Sequence, residues 1–157
     1  MAGMKTKTIG LSLILCLAAG AFCLAADDPM MGTWKLNEAK SKIAPGAPKN
    51  NTVVYAAAGD QIKVTVDGTD AQGKAAHSEW TGKFDGKDYP VTGDPTANMR
   101  SYKMDGKDLE LTNKKDGKVT MTGKVVVSAD GKTRTVTING TDDKGAKMTS
   151  TAVYDKS

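Results

Sequence analysis

The sequence predicts an all-β chain: a single antiparallel up-and-down β-barrel of about eight to ten strands, with little helix. Three observations carry this reading. Asp-Gly and Asn-Gly pairs recur at 67–68, 85–86, 105–106, 116–117, 130–131 and 139–140. Both residue types tolerate the positive φ that tight hairpin turns demand. The runs between these pairs alternate apolar and polar residues with period two. No long segment carries the helical period.

Strands are expected near 32–37, 51–57, 61–67, 75–84, 88–92, 98–104, 108–113, 118–128, 133–139 and 147–155. Ile62, Val64 and Val66 share a face opposite Lys63 and Thr65. The longest run places Val119, Met121, Gly123, Val125 and Val127 on one face. Thr133, Thr135 and Thr137 alternate with Arg134, Val136 and Ile138. Residues 38–50, EAKSKIAPGAPKN, hold at most a helical turn before the prolines break it. So many strands in one short domain leave adhesive edges unless the sheet closes on itself, which favours a barrel. A partial repeat also stands out: VTVDGTDAQGK at 64–74 matches VTINGTDDKGA at 136–146. A solenoid would need more copies.

Residues 1–26 read as a cleaved secretory signal, leaving 27–157 as the domain. Lys5 and Lys7 precede a short apolar core, and small residues Ala25 and Ala26 precede Asp27 and Asp28. Cleavage is expected after Ala25 or Ala26. The apolar run is too short for a transmembrane helix. Phe22 is bulky where a lipidated cysteine usually follows a small residue, which disfavours lipoprotein anchoring at Cys23. The expected residence is therefore secreted or periplasmic. Both cysteines lie in the signal, so the mature chain has no disulfide and no thiolate metal site. It carries 20 basic and 18 acidic residues, too near neutrality to suggest nucleic-acid binding. A monomer is expected.

Few residues suggest catalysis. His77 is the only histidine and shares a strand face with Glu79, while Ser78 points the other way. Base chemistry would need a nucleophile that the sequence does not single out, so a solvent-facing pair on a strand is the expected reading. One His and no Cys argue against zinc, and no cofactor is expected. Asp67, Asp70, Asn139 and Asp142 could offer oxygens to calcium, but they lack the spacing of the helix-flanked loop and its late Glu. Hairpin turns explain them too. Arg100 and Tyr102 share a strand face. If that face points inward, the guanidinium is a buried cation that needs an anion, either an internal acid or a ligand carboxylate.

The opening GTWKLNEAKS resembles the first strand of fatty-acid-binding proteins, and the closing TAVYDKS resembles their last. The stretches AGDQIKVTVDGTDAQGK, KFDGKDYPVTG and VVVSADGKTRTVT resemble small bacterial secreted proteins with a lipocalin-like domain. The resemblance implies a calycin barrel with Trp34 packing its floor and Tyr154 at a ligand-gripping position. The Arg that shares this grip in fatty-acid-binding proteins is replaced by Ala152. Residues 38–50 are too short for their two-helix lid. In lipocalins an Arg near the end of the last strand packs on the Trp; here Lys156, a weaker stacking partner, is the only base near that place.

The leading expectation is a non-catalytic barrel holding a small apolar or amphipathic ligand. Arg100, Tyr102 and Tyr154 are its candidate polar anchors, and Trp34, Leu36, Val64 and Phe84 contribute to floor and wall. The alternative is a solid-core barrel serving as a structural or protein-interaction module of the envelope. An open interior of a few hundred cubic ångströms favours the first, a filled one the second.

Overall fold

The computed structural model describes residues 28–142 and 144–157. The segment read as a signal, both cysteines and the expected cleavage positions lie outside the described residues. Ten strands form one closed antiparallel barrel in up-and-down order. They are β1 (Gly32–Leu36), β2 (Lys49–Ala58), β3 (Gln61–Thr69), β4 (Ala75–Gly82) and β5 (Tyr89–Thr92). Then come β6 (Met99–Asp105), β7 (Asp108–Lys115), β8 (Lys118–Val127), β9 (Thr133–Thr141) and β10 (Lys147–Lys156). Each pairs with its sequence neighbours, and β1 closes the ring on β10 through Trp34↔Lys156 and Leu36↔Tyr154. Every expected strand is present, with ends shifted by a few residues. The only helix among the described residues is one 3₁₀ turn, Glu38–Lys40, capped by the Asn37 side chain.

The alternation read from sequence decides which residues face inward. Val53, Val64, Val66, Leu109, Leu111, Val125 and Val136 are buried, whereas the chain neighbours Asp67, Glu110 and Lys124 are exposed. The turns do what their residue types require. Asp70 Oδ1 accepts the backbone N–H groups of Gln72 and Lys74, both at 2.9 Å, and Gly73 takes φ of 78°. Asp142 repeats this with Lys144 and Ala146 at 2.9 and 2.8 Å, and Gly145 takes φ of 80°. The internal repeat is thus a whole hairpin: β3–β4 and β9–β10 share one turn and one register. Ile62 opposite Gly82 in the first becomes Arg134 opposite Tyr154 in the second.

The two ends of the barrel differ. At one end, the floor, Met30 lies under Trp34, and the Trp34 Nε1–H donates to Met30 O at 2.9 Å. Trp34, Leu109, Arg134 and Tyr154 are all buried there. Toward the other end Arg100 and Asn113 stay buried, but part of the inward wall is less covered. Gly68, Ala76, Ser78, Gly123 and Gly140, with Met121, Ile138 and Met148, are only half-buried. The stretch 37–48 runs beside β10 at this second end, called the open end below, where Lys42 bridges Thr151 and the Ala44 N–H donates to Ser150 Oγ.

Candidate functional site

The chain has two arginines and both are buried, whereas every other fixed cation is a lysine. Arginine's delocalised charge is the cheaper one to remove from water. The two side chains meet different surroundings.

Arg100 sits on β6 toward the open end. Its Nε–H donates to Asn113 Oδ1 at 2.7 Å, and its Nη2–H donates to Asp94 Oδ2 at 2.9 Å. Asn113 also donates to Asp94 Oδ2, at 3.3 Å. Of the two partners weighed for this guanidinium, the internal acid is the one present. Asp94 comes from the β5–β6 turn, which folds back over the lumen wall. Tyr102, two residues on, packs edge-on against Trp80 with ring centroids 4.7 Å apart. Tyr55 and Phe84 complete this aromatic cluster. Trp80 is fixed by its Nε1–H donating to Arg100 O at 2.9 Å. Burial raises the Tyr102 hydroxyl well above its usual range.

Arg134 sits on β9 above the floor, only 2 % exposed. Its guanidinium carbon lies 5.1 Å from the Trp34 ring, 5.1 Å from Tyr55 and 4.6 Å from Tyr154. These are cation–π distances. Among the described residues, its Nε and Nη1 have no hydrogen-bond partner and no acid forms an ion pair with it. Lys156 Nζ also lies 5.1 Å from the Trp34 ring and donates to Pro29 O. Trp34 therefore meets two cations, of which Lys156 was the expected one. Burial pushes the Tyr154 hydroxyl up to about 12, although Arg134 pulls it down. It stays protonated, and able to donate, at neutral pH.

Of the expected anchors, Tyr154 and Tyr102 fall on one connected chain, Tyr102–Tyr55–Arg134–Tyr154, and Trp34 lies beneath it. Arg100 lies apart, engaged with Asp94. The sequence reading missed Arg134 and Tyr55. The signal for Arg134 was available, because it shares the parity of Val136 and Ile138 and so an apolar face.

His77 lies on the outer wall. Its Nδ1 is 2.6 Å from Asp67 Oδ1 and its Nε2 is 3.6 Å from Glu79 Oε1. The Asp67 hydrogen bond is the main cause of its raised pKa. Glu79 is shared with Lys63 at 2.8 Å. Ser78 faces the lumen, opposite Val66. Asp70 and Asp142 spend carboxylate oxygens on their own turns. Among the described residues no cluster of three or more potential metal ligands occurs, and no helix is long and apolar enough to cross a membrane.

Two concavities stand out. One of about 550 Å³ lies on the outer wall of β7–β9, lined by Glu110, Thr112, Lys124, Thr135 and Thr137. The other, about 390 Å³, takes in the open-end rim, including Met121, Gly140 and Met148. Neither is an enclosed void within the barrel. No family model matches the chain, and no curated protein matches it.

Proposed function

We propose that this chain is an exported, non-catalytic, lipocalin-like barrel that holds a small apolar or amphipathic ligand. The observation that carries the reading is the asymmetry of the lumen. The floor is packed by Met30 and Trp34, whereas at the other end part of the inward wall, beside the buried Arg100 and Asn113, carries half-buried side chains. A barrel with one packed and one open end suits a guest held end-on. Met121, Ile138 and Met148 would meet its apolar part at the rim. Export rests on the signal-like residues 1–26. The absence of a free sheet edge supports a monomer. The non-catalytic reading is supported by His77, which sits in an exposed ion-pair cluster on the opposite side of the wall from Ser78.

Native mass spectrometry of protein purified from its own envelope tests this. A small molecule that travels with the folded chain and leaves on denaturation is the expected result. A bare polypeptide mass in every preparation would contradict it.

The second reading, a solid-core structural or interaction module, is favoured by the packed floor and by the openness of both concavities. It predicts no bound molecule, and binding through the outer wall instead.

A further inference from the structure

We infer that Tyr89 is a redox-active tyrosine: one-electron oxidation of the barrel's aromatic core runs from Trp80 to Tyr89, whose phenolic proton passes to Asp85. This holds with or without a guest in the lumen. Tyr89 joins the core to the surface. Its ring meets the buried Trp80 edge-on, with centroids 5.7 Å apart, and its hydroxyl donates to the exposed Asp85 at 3.0 Å. Gly82 makes the meeting possible, because a Cβ there would lie 2.5 Å from the Tyr89 ring and 2.6 Å from that of Trp80. Among the described residues, Tyr89 is the only tyrosine whose hydroxyl donates to a carboxylate. Tyr55, Tyr102 and Tyr154 are buried.

The charges beside the rings point the same way. Arg134 lies 5.1 Å from Trp34, 5.1 Å from Tyr55 and 4.6 Å from Tyr154. Taking an electron from any of these rings would set a positive charge against a buried cation, and the low dielectric strengthens that repulsion. Near Trp80 the Arg100 charge is answered by Asp94. The Trp80 Nε1–H donates to Arg100 O, a carbonyl too weakly basic to take the proton. An indole radical cation at Trp80 therefore keeps its charge, away from water, which is costly. Tyr89 relieves it, because its proton has a carboxylate to go to. Desolvation, then Asp85, raises the Tyr89 pKa, so the phenol keeps its proton at neutral pH until it is oxidised.

The step balances as follows. A diffusible one-electron oxidant takes one electron from Trp80 and is itself reduced. Tyr89 returns one electron to the indole and gives its proton to Asp85. Trp80 is restored, Tyr89 is left as a neutral phenoxyl radical, and Asp85 is a neutral acid. Phenoxyl radicals on two chains can then form one ring carbon–carbon bond. Each ring moves its displaced hydrogen to oxygen, and the product is a dityrosine-linked dimer.

The purified protein is oxidised by a light flash with tris(bipyridine)ruthenium and persulfate, which together make a one-electron oxidant. Transient absorption separates indole from phenoxyl radicals, and peptide mass spectrometry locates the cross-links. Tyr89→Phe, Asp85→Asn and Trp80→Phe are oxidised alongside. In wild type an indole signal should give way to a phenoxyl signal, and the dimers should be joined at Tyr89. Tyr89→Phe should keep the indole signal and lose the dimers. Asp85→Asn should slow the transfer about tenfold or more, since it removes a charged acceptor. Trp80→Phe should lose most of the phenoxyl yield.

Dimers joined mainly at another tyrosine would overturn the inference, as would an indole signal that outlasts the phenoxyl signal in wild type. A phenoxyl yield unchanged in Trp80→Phe would overturn the relay, because Tyr89 would then be oxidised directly. A transfer rate unchanged in Asp85→Asn would overturn Asp85 as the proton acceptor. The wild-type signals and cross-link map decide even where Trp80→Phe fails to fold.

Discussion

Arg100 and Arg134 are the same residue in two opposite settings. Arg100 is built into a closed polar network: its charge meets Asp94, its Nε–H meets Asn113, and Asn113 completes the triangle. Arg134 is held by ring faces and keeps two N–H groups without an acceptor. Both are buried, so burial does not separate the two settings. The presence or absence of a built-in counter-charge does. A network that is complete without a guest contributes to the fold, whereas an incomplete one is stability given up, as functional sites commonly do.

The largest expected effect comes from breaking the complete network. Asp94→Ala leaves Arg100 buried without its acid and should cost about 3–5 kcal/mol in urea denaturation. A loss under ~1 kcal/mol would mean that Arg100 is no better compensated than Arg134.

The repeated hairpins give the next test. At the position where β9–β10 carries Tyr154, β3–β4 carries Gly82. A Cβ there would lie 2.5 Å from the Tyr89 ring and 2.6 Å from that of Trp80. Gly82→Ala should therefore destabilise by about 1–3 kcal/mol through overpacking, read from the thermal midpoint. An unchanged midpoint would show that the aromatic cluster is loose and that the two hairpins are interchangeable.

Breaking the incomplete setting should cost little. Arg134→Met replaces an unpaired cation by an apolar chain of similar length and leaves no acid behind. The lost cation–π attraction and the gained desolvation oppose each other, so stability should stay within about 1 kcal/mol of wild type. Arg100→Met should do clearly worse in the same assay, because it strands Asp94 and Asn113.

The smallest effect lies on the outer wall. The pKa of His77 is raised, chiefly by Asp67. Its contribution is therefore present below the unfolded value of about 6.5 and is lost as pH rises through the folded value. An NMR titration should place the His77 midpoint above that of a free histidine, and Asp67→Asn should bring it down. A midpoint that ignores Asp67→Asn would show that the contact is not populated in solution.

Much of the fold was legible because its rules are local. Asp-Gly pairs set the turns and period-two alternation set the faces, and all ten strands appear where those signals put them. The hairpin repeat was visible as a string of letters, and its register extends it to two complete strand pairs. The site was less legible because it depends on who meets whom across the barrel. Arg100 drew attention through its neighbour Tyr102, but its partner Asp94 arrives by a turn whose fold-back has no local mark. Arg134 lay in plain view on the parity of Val136 and Ile138. Its isolation from acids shows only once Trp34, Tyr55 and Tyr154 converge on it from three strands. Composition shows only that two arginines stand among twenty lysines; that both go inside is seen in the structure.

The most direct measurement is the urea midpoint of the wild type with and without a saturating amphiphile, decan-1-ol or decanoate. A ligand that binds only the folded state raises its stability, by about 2.7 kcal/mol at a hundredfold excess over Kd. A rise with either amphiphile is the result the proposed ligand-holding barrel predicts. An unchanged midpoint with both would contradict it.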